Sequence, residues 1–207
     1  MSKPLIITIG REYGSGGHEI GEKVASRLGI PCYDKKLIQM AAEKSGLSDE
    51  FVEQHEQRSN NAFFASLAAS ASYSTGFFSP QHLPLSESIF IAEAQTIREI
   101  ADRESAVIVG RCADYVLAGR ENTINLFIFA PEGDRVKRIM RLYQLSEADA
   151  MKRIATSDKE RGNHYFRYTD HKWGRAQNYD LSINSSLMGI DKTVEMIVDL
   201  AGIEERA

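Results

Sequence analysis

Short runs rich in apolar and β-branched residues recur along the chain, each followed by glycine, proline or a charged residue and then by an amphipathic stretch. The first, LIITI at 5–9, is apolar but for one threonine, the pattern of a strand covered on both faces in a parallel sheet. Glycines break it. Ile20, Val24, Ala25 and Leu28 then recur at helical spacing, with Gly29 placed as a C-cap. IPCYD (30–34) reads as a short second strand ending at Asp34, KLIQMAAEKSG as a helix stopped at Gly46, and SDEFVEQHEQ as a further helix with Ser48 as its N-cap. A long helix, SESIFIAEAQTIREIADRE, leads from Ser86 into AVIVG (106–110), the third strand, with Arg111 directly after its glycine. NLFIFAP (125–131) is the fourth, and Pro131 suits the first turn of the helix EGDRVKRIMRLY. A second helix starts at Ser146 and meets a polar aromatic stretch; YDLSINSS (179–186) is the fifth strand, and DKTVEMIVDLAG closes the chain as a helix. Five strands alternating with helices predict a parallel α/β sheet with right-handed crossovers.

Composition changes this picture little. A chain of 207 residues suffices for one domain with a sizeable core and a small insertion. With 43% apolar and 26% charged residues, wholesale disorder is excluded. A net charge of −4 gives no electrostatic footprint for duplex DNA or an anionic membrane, so any anion-binding cluster must be local. Cys32 and Cys112 stand in PCYD and GRCAD without CxxC or Cys/His metal spacing and read as reduced thiols in a cytoplasmic protein. The apolar run in MSKPLIITIG is too short for a signal segment or a membrane span. Residues 59–84 differ from the rest: they are rich in Ser and Ala, hold four Phe and carry almost no charge, which fits a mobile or partner-covered segment.

GREYGSGGHEIG (10–21) joins the first strand to its helix. In the Walker pattern GxxxxGK[ST], backbone N–H groups wrap a phosphate, the lysine neutralises it and the hydroxyl helps hold magnesium. Aligning Gly16 with the last motif glycine puts Gly17 at the lysine and His18 at the Ser/Thr, so both side-chain functions are absent. What remains is a nest of Gly14, Ser15, Gly16 and Gly17 on a helix N-terminus, which binds anions through main-chain donors and the helix dipole. His18 is a hydrogen-bond donor to phosphate or a local helix cap. The alternatives are a plain strand-to-helix turn and a dinucleotide loop; the latter needs a sixth-position glycine where Glu19 stands.

GREYGSGGHEIGEKVASRLG, CYDKKLI, VIVGRCADYVL, LFIFAP and YDLSINSS have the order and spacing of the cytidylate kinase-like family, P-loop proteins related to bacterial cytidylate kinases. The chain resembles that family over nearly its whole length. The resemblance implies an α/β fold of the three-layer P-loop NTPase type, a five-stranded parallel sheet flanked by helices. It implies a single domain, 1–207, with a helical acceptor-binding insertion at 35–105 and a lid at 146–178. It further implies ATP and Mg²⁺ as cofactors and transfer of the γ-phosphate to CMP or a similar nucleoside monophosphate. The alternatives are a nucleotide-binding regulatory or sensor protein with little turnover, and a kinase of a different small-molecule acceptor. Neither nucleic acid nor membrane is expected as a partner.

Phosphoryl transfer needs several cations at the carboxyl ends of the strands. Arg11 and Arg111 follow strands one and three. Arg11 is inside the loop and partly replaces the lysine, or pairs with Glu12 on the surface. Arg111 resembles the arginine that holds the monophosphate acceptor in cytidylate kinases. Asp114, one turn on, orients the acceptor or stabilises its helix; Asp34 faces the acceptor or metal-bound water, or caps a helix. The stretch SDKERGNHYFRYTDHKWGRAQ (157–177) corresponds in position to the lid, with Arg161 the first and Arg167 the second residue to close over the phosphates. Trp173 reads as packing on the sheet. His164 and His171, seven apart on one helical face, lack a metal pattern, so no metal site is expected. Ser185 and Ser186 stand near the base or in a turn. Residues 59–84 lack the arginines of a monophosphate pocket, with only Arg58 at their edge, which leaves room for another acceptor. Phe63-Phe64 and Phe77-Phe78 are read first as a subunit interface joining a homo-oligomer, with base stacking and cleft cover as alternatives.

Overall fold

β1 (Ile6–Arg11) occupies the centre of the sheet, as its unbroken apolar run requires. It pairs in parallel with β3 (Ala106–Val109) on one side and β4 (Thr123–Phe129) on the other. β2 (Cys32–Tyr33) adds to β3 and β5 (Leu181–Asn184) to β4, giving the order β2-β3-β1-β4-β5, all parallel. The structure, a computed structural model, describes residues 4–34, 37, 40 and 85–204. The helices predicted between 36 and 57, the run 59–84 with its Phe pairs, and Arg58 lie outside the described residues.

Between the strands run α1 (Gly17–Leu28), α2 (Leu85–Arg103), a short α3 (Ala113–Val116), α4 (Glu132–Tyr143), α5 (Glu147–Thr169), a 3-10 turn (Ala176–Asn178), a short α6 (Ser185–Met188) and α7 (Ile190–Glu204). The chain divides into two compact units, Met1–Lys35 with Ala94–Ala207, and Lys36–Glu93. All five strands belong to the first, while residues 85–93 of α2 belong to the second. No described helix is long and apolar enough to cross a membrane.

Alternation along the strands builds the core. Ile7 and Ile9 of β1, Val107 and Val109 of β3, and Ile124, Leu126 and Ile128 of β4 meet Ile20, Val24 and Ala25 of α1 and Val194, Ile197 and Ala201 of α7. The intervening residues Ile6, Thr8, Ala106 and Ile108 are buried as well. Thr8 keeps its hydroxyl satisfied by donating to Asn125 Oδ1 at 2.7 Å. Gly29 closes α1 in the left-handed region at φ 68, as its position after Leu28 predicts.

Four sequence expectations are corrected. The fifth strand stops at Asn184, whose Oδ1 accepts from the Ser186 N–H at 3.1 Å, so Ser185 and Ser186 start a helical turn. The polar aromatic stretch is no separate segment: α5 continues unbroken to Thr169 after Ser146 caps it by accepting from Asp149 N–H. Because α5 ends there, His171 lies beyond it and shares no helical face with His164. The second strand is two residues long, since Pro31 supplies only its carbonyl, to Val107 N–H at 2.9 Å.

Candidate functional site

The connections leaving β1 and β3 run to opposite sides of the sheet, which opens a crevice at their carboxyl ends. The glycine loop stands there. Gly14 and Gly16 adopt φ 82 and 85 around Ser15, the alternation that turns successive N–H groups toward one point. Ser15 is buried, and its Oγ donates to Glu12 O at 2.9 Å. Its carbonyl accepts from the buried Ser185 Oγ at 2.5 Å, and the same hydroxyl reaches Phe129 O at 3.3 Å. Ser185 therefore fastens the loop to β4. The N-cap Gly16 brings no side chain to the first turn of α1, so the donors at that helix start are left for an anion.

Arg11 runs through a slot made by two glycines. A Cβ on Gly17 would lie 2.5 Å from Arg11 Cβ, and one on Gly110 would lie 1.9 Å from Arg11 Nη1. The stem of Arg11 thus fills the space beside position 17 from which a Walker lysine would start, and its guanidinium rests on Gly110. Its carboxylate partner is Asp34, at 3.3 Å, with both side chains 17% exposed. The expected surface pair with Glu12 does not form: Glu12 Oε2 faces Arg135 Nε at 3.4 Å and accepts from Ala130 N–H at 3.2 Å. The second oxygen of Asp34 lies 2.8 Å from His18 Nδ1, and His18 Nε2 lies 3.4 Å from Glu22.

The hairpin of α4 and α5 is tied to this loop. Val136, Ile139, Ala150 and Ile154 form a small apolar cluster against which Tyr13 packs. Tyr13 N–H donates to Asp158 Oδ1 at 2.7 Å, and Arg135 holds the other Asp158 oxygen at 2.5 Å. Three residues further along α5, Arg161 donates to the Arg11 carbonyl at 3.0 Å and stacks over the Tyr13 ring at 5.2 Å. Sequence reading missed Arg135 and Asp158 altogether. The available signal was the spacing of Asp158 and Arg161, which puts both on one face of a helix.

Beyond β3, Gly110, Arg111 and Cys112 take φ 81, 57 and 53 in succession. Two non-glycine residues in the left-handed region cost about 1–3 kcal/mol each and mark positions held for a purpose. Arg111 depresses the pKa of both Arg11 and Arg161 and stabilises the Asp34 carboxylate.

The charges of Arg11, Arg111 and Arg161 therefore act on one another and on Asp34. Burial, then the Arg161 charge, lowers Arg11 to about 10, with Asp34 opposing. Arg161 is lowered for the same first reason. At about 10, Arg11 remains a cation at neutral pH. Burial pushes Asp34 upward, but the His18 hydrogen bond and the Arg11 and Arg111 charges outweigh it and hold the carboxyl below its usual range. His18 is raised, chiefly by its bond to Asp34. Burying like charges together is unfavourable unless an anion completes the set.

Other predicted residues do not join this cluster. Asp114 accepts from Tyr165 O–H at 2.6 Å, linking α3 to α5, and its carboxyl is raised by burial against that bond and two first-turn N–H groups. Arg167 lies on the exposed side of α5, 5.7 Å from the Tyr168 ring. Trp173 packs edge-on against Phe127 of β4, centroids 5.4 Å apart. Cys32 and Cys112 form no disulfide.

Known proteins fit this geometry. The model of the cytidylate kinase-like family matches residues 6–187. An uncharacterized protein from Eubacterium ventriosum superposes with TM-score 0.71 at 28% identity, over 96% of this chain and 98% of that one. Shikimate kinase from Bacteroides thetaiotaomicron (TM-score 0.53, 14% identity, 95% and 97% of the two chains) shares the fold. So does a gluconokinase from Sinorhizobium meliloti (0.52, 13%, 100% and 97%). The fold is the α/β P-loop NTPase fold. A curated relative, uronate isomerase of Corynebacterium glutamicum, is 34% identical over 109 residues, 51% of this chain; the chain spans only 21% of that protein.

Proposed function

The chain belongs to the cytidylate kinase-like family, and on that premise we propose that it is an ATP-dependent phosphotransferase acting on CMP or a similar nucleoside monophosphate. The observation that carries the reading is the gathering of Arg11 and Arg161, both acted on by the Arg111 charge, about Asp34 beside a helix start without a side-chain cap. Phosphoryl transfer is mainly positioning and stabilisation of charge on oxygens. When bound, ATP would supply the γ-phosphoryl group: its bond to the bridging oxygen of ADP breaks as one to an acceptor oxygen forms, and a phosphate acceptor has no proton to lose.

In this reading Gly14, Ser15, Gly16 and Gly17 cradle the phosphates by their N–H groups, with His18 at the edge. Arg11 and Arg161 stabilise charge on the transferring group, and Arg111 meets the acceptor phosphate. Asp34 positions Arg11 rather than taking a proton, because both of its oxygens are engaged. Asp114 serves the acceptor side only through α3. Arg167 receives no phosphate contact. The division into one domain with an acceptor-binding insertion at 35–105 and a lid at 146–178 belongs to the proposal and rests on element order. So do the cytoplasmic setting and pairing through Phe63-Phe64 and Phe77-Phe78.

A second reading is favoured by one observation: position 17 is filled by the Arg11 stem and position 18 is bound to Asp34, so the two Walker side-chain functions have no direct equivalents. The chain is then a nucleotide-binding sensor with little turnover. Incubating the protein with labelled ATP, Mg²⁺, nucleoside monophosphates, shikimate and gluconate separates the readings. Label on a nucleoside monophosphate is the expected result. Label on shikimate or gluconate alone reassigns the acceptor, and ATP binding with no transfer establishes the sensor.

A further inference from the structure

The glycines that shape the nest also leave it loose. Gly14, Gly16 and Gly17 bring no side chain to anchor them, and glycine gives up more backbone freedom on ordering than any other residue. Ser15 fastens the loop to itself, its Oγ and its N–H both donating to Glu12 O, at 2.9 and 3.3 Å. The entrance to the nest is fastened from outside. Arg11, Glu12 and Tyr13 are each held by a side chain of α4 or α5: Arg161 donates to Arg11 O at 3.0 Å, Arg135 Nε faces Glu12 Oε2 at 3.4 Å, and Arg135 Nη1 donates to Tyr13 O at 3.3 Å.

Asp158 joins these contacts. One of its oxygens accepts from Tyr13 N–H at 2.7 Å and the other from Arg135 Nη1 at 2.5 Å, so Asp158 and Arg135 together grip Tyr13 by its N–H and its carbonyl. Both side chains are largely buried. A Cβ on Gly14 would stand 3.1 Å from Arg135 Cβ and from Ile139 Cγ1, which leaves the loop little room to shift toward α4. Arg161 follows one turn later on α5; burial lowers its pKa, and the Asp158 charge is the strongest opposing influence.

We propose that Asp158 is a positioning residue for phosphate binding: with Arg135 it holds Tyr13, and through Tyr13 the Gly14–Gly17 nest, in the shape that receives a nucleotide's phosphates before they arrive. The proposal rests on the phosphate-site reading above and deepens it. A flank ordered in advance leaves less conformational entropy to be lost on binding. With both oxygens engaged, Asp158 acts through the loop and meets no phosphate itself.

Calorimetric titration of the full chain with ATP and Mg²⁺ tests this on the wild type, Asp158→Ala and Asp158→Asn, each with its thermal melt. Asparagine still offers an oxygen to Tyr13 N–H, and alanine does not. Asp158→Ala should bind ATP at least about tenfold more weakly, and Asp158→Asn should recover the larger part of that loss. A purely structural tie would lower Tm and leave the affinity of the folded protein unchanged; that result overturns the proposal, as does asparagine binding no better than alanine. Hydrogen exchange read by NMR on the nucleotide-free wild type should find the Tyr13 amide protected. Fast exchange there overturns the proposal even if neither variant folds. Failure of the wild type to bind ATP overturns the phosphate-site reading itself.

Discussion

Ile7 and Arg11 lie four residues apart on β1; Ile7 is 0% and the Arg11 side chain 17% exposed. Ile7 is surrounded by the aliphatic side chains of the sheet, α1 and α7, and its burial stabilises the fold by about 1.5–3 kcal/mol. Arg11 is removed from water beside the charges of Arg161 and Arg111, with Asp34 opposing them. Its burial opposes folding. The same strand thus supplies stability along its length and gives part of it up at its carboxyl end, the pattern expected where a site trades stability for binding.

The contrast can be broken deliberately. Ile7→Ala should lower stability by about 2–5 kcal/mol, roughly 2–4 °C of Tm per kcal/mol at this length, while the folded protein keeps its affinity for ATP. A melt and a titration on one sample check both; joint loss would mean core and site are not separable. Gly110→Ala comes next. Its Cβ would lie 1.9 Å from Arg11 Nη1 at φ 81, costing about 1–3 kcal/mol and displacing the guanidinium. Its loss of ATP affinity should match that of Arg11→Ala, and the double variant should lose no more, as a double-mutant cycle would record.

Arg161→Met reverses the sign on stability. Replacing a charge buried among like charges by an apolar chain of similar length should hold or raise Tm, while ATP binding weakens by at least about tenfold, or 1.4 kcal/mol. A clear fall in Tm would place Arg161 with the structural ties of α5 instead. The smallest effect concerns His18. Its pKa is raised, chiefly by the Asp34 bond, so its stabilisation is complete below the unfolded value of about 6.5 and disappears as pH rises through the folded one. Because the side chain is 53% exposed, the change in Tm will be slight. NMR titration reads it directly: the imidazole midpoint should lie above that of an unfolded peptide and move down in Asp34→Asn.

Much of the site was legible one residue at a time. Arg11 and Arg111 follow apolar runs that could only be strands, and in a parallel sheet every such residue comes to the same edge. Arg161 stood out in a basic stretch. Its partner, the Arg11 carbonyl 150 residues away, left no local trace. Asp34 was visible as a strand end, but its bond to Arg11 depends on β2 lying beside β3, which in turn lies beside β1, and no periodicity encodes that order. The Arg11–Glu12 expectation failed because adjacency in sequence favoured Glu12, whereas Glu12 is taken by Arg135 and the Ala130 N–H and Arg11 by Asp34.

The amino-acid pattern alone determined the five strands, the glycine turn and the carboxyl edge where charge collects, because periods of two and 3.6 and the needs of glycine are local properties. Tertiary structure decided which charges meet. The slot between Gly17 and Gly110, the Asp34 bridge from Arg11 to His18, and the Arg135–Asp158 tie that brings Arg161 over the loop exist only once distant segments have packed. Ion pairs and close approaches are set by distance in space, and a chain fixes that only by folding.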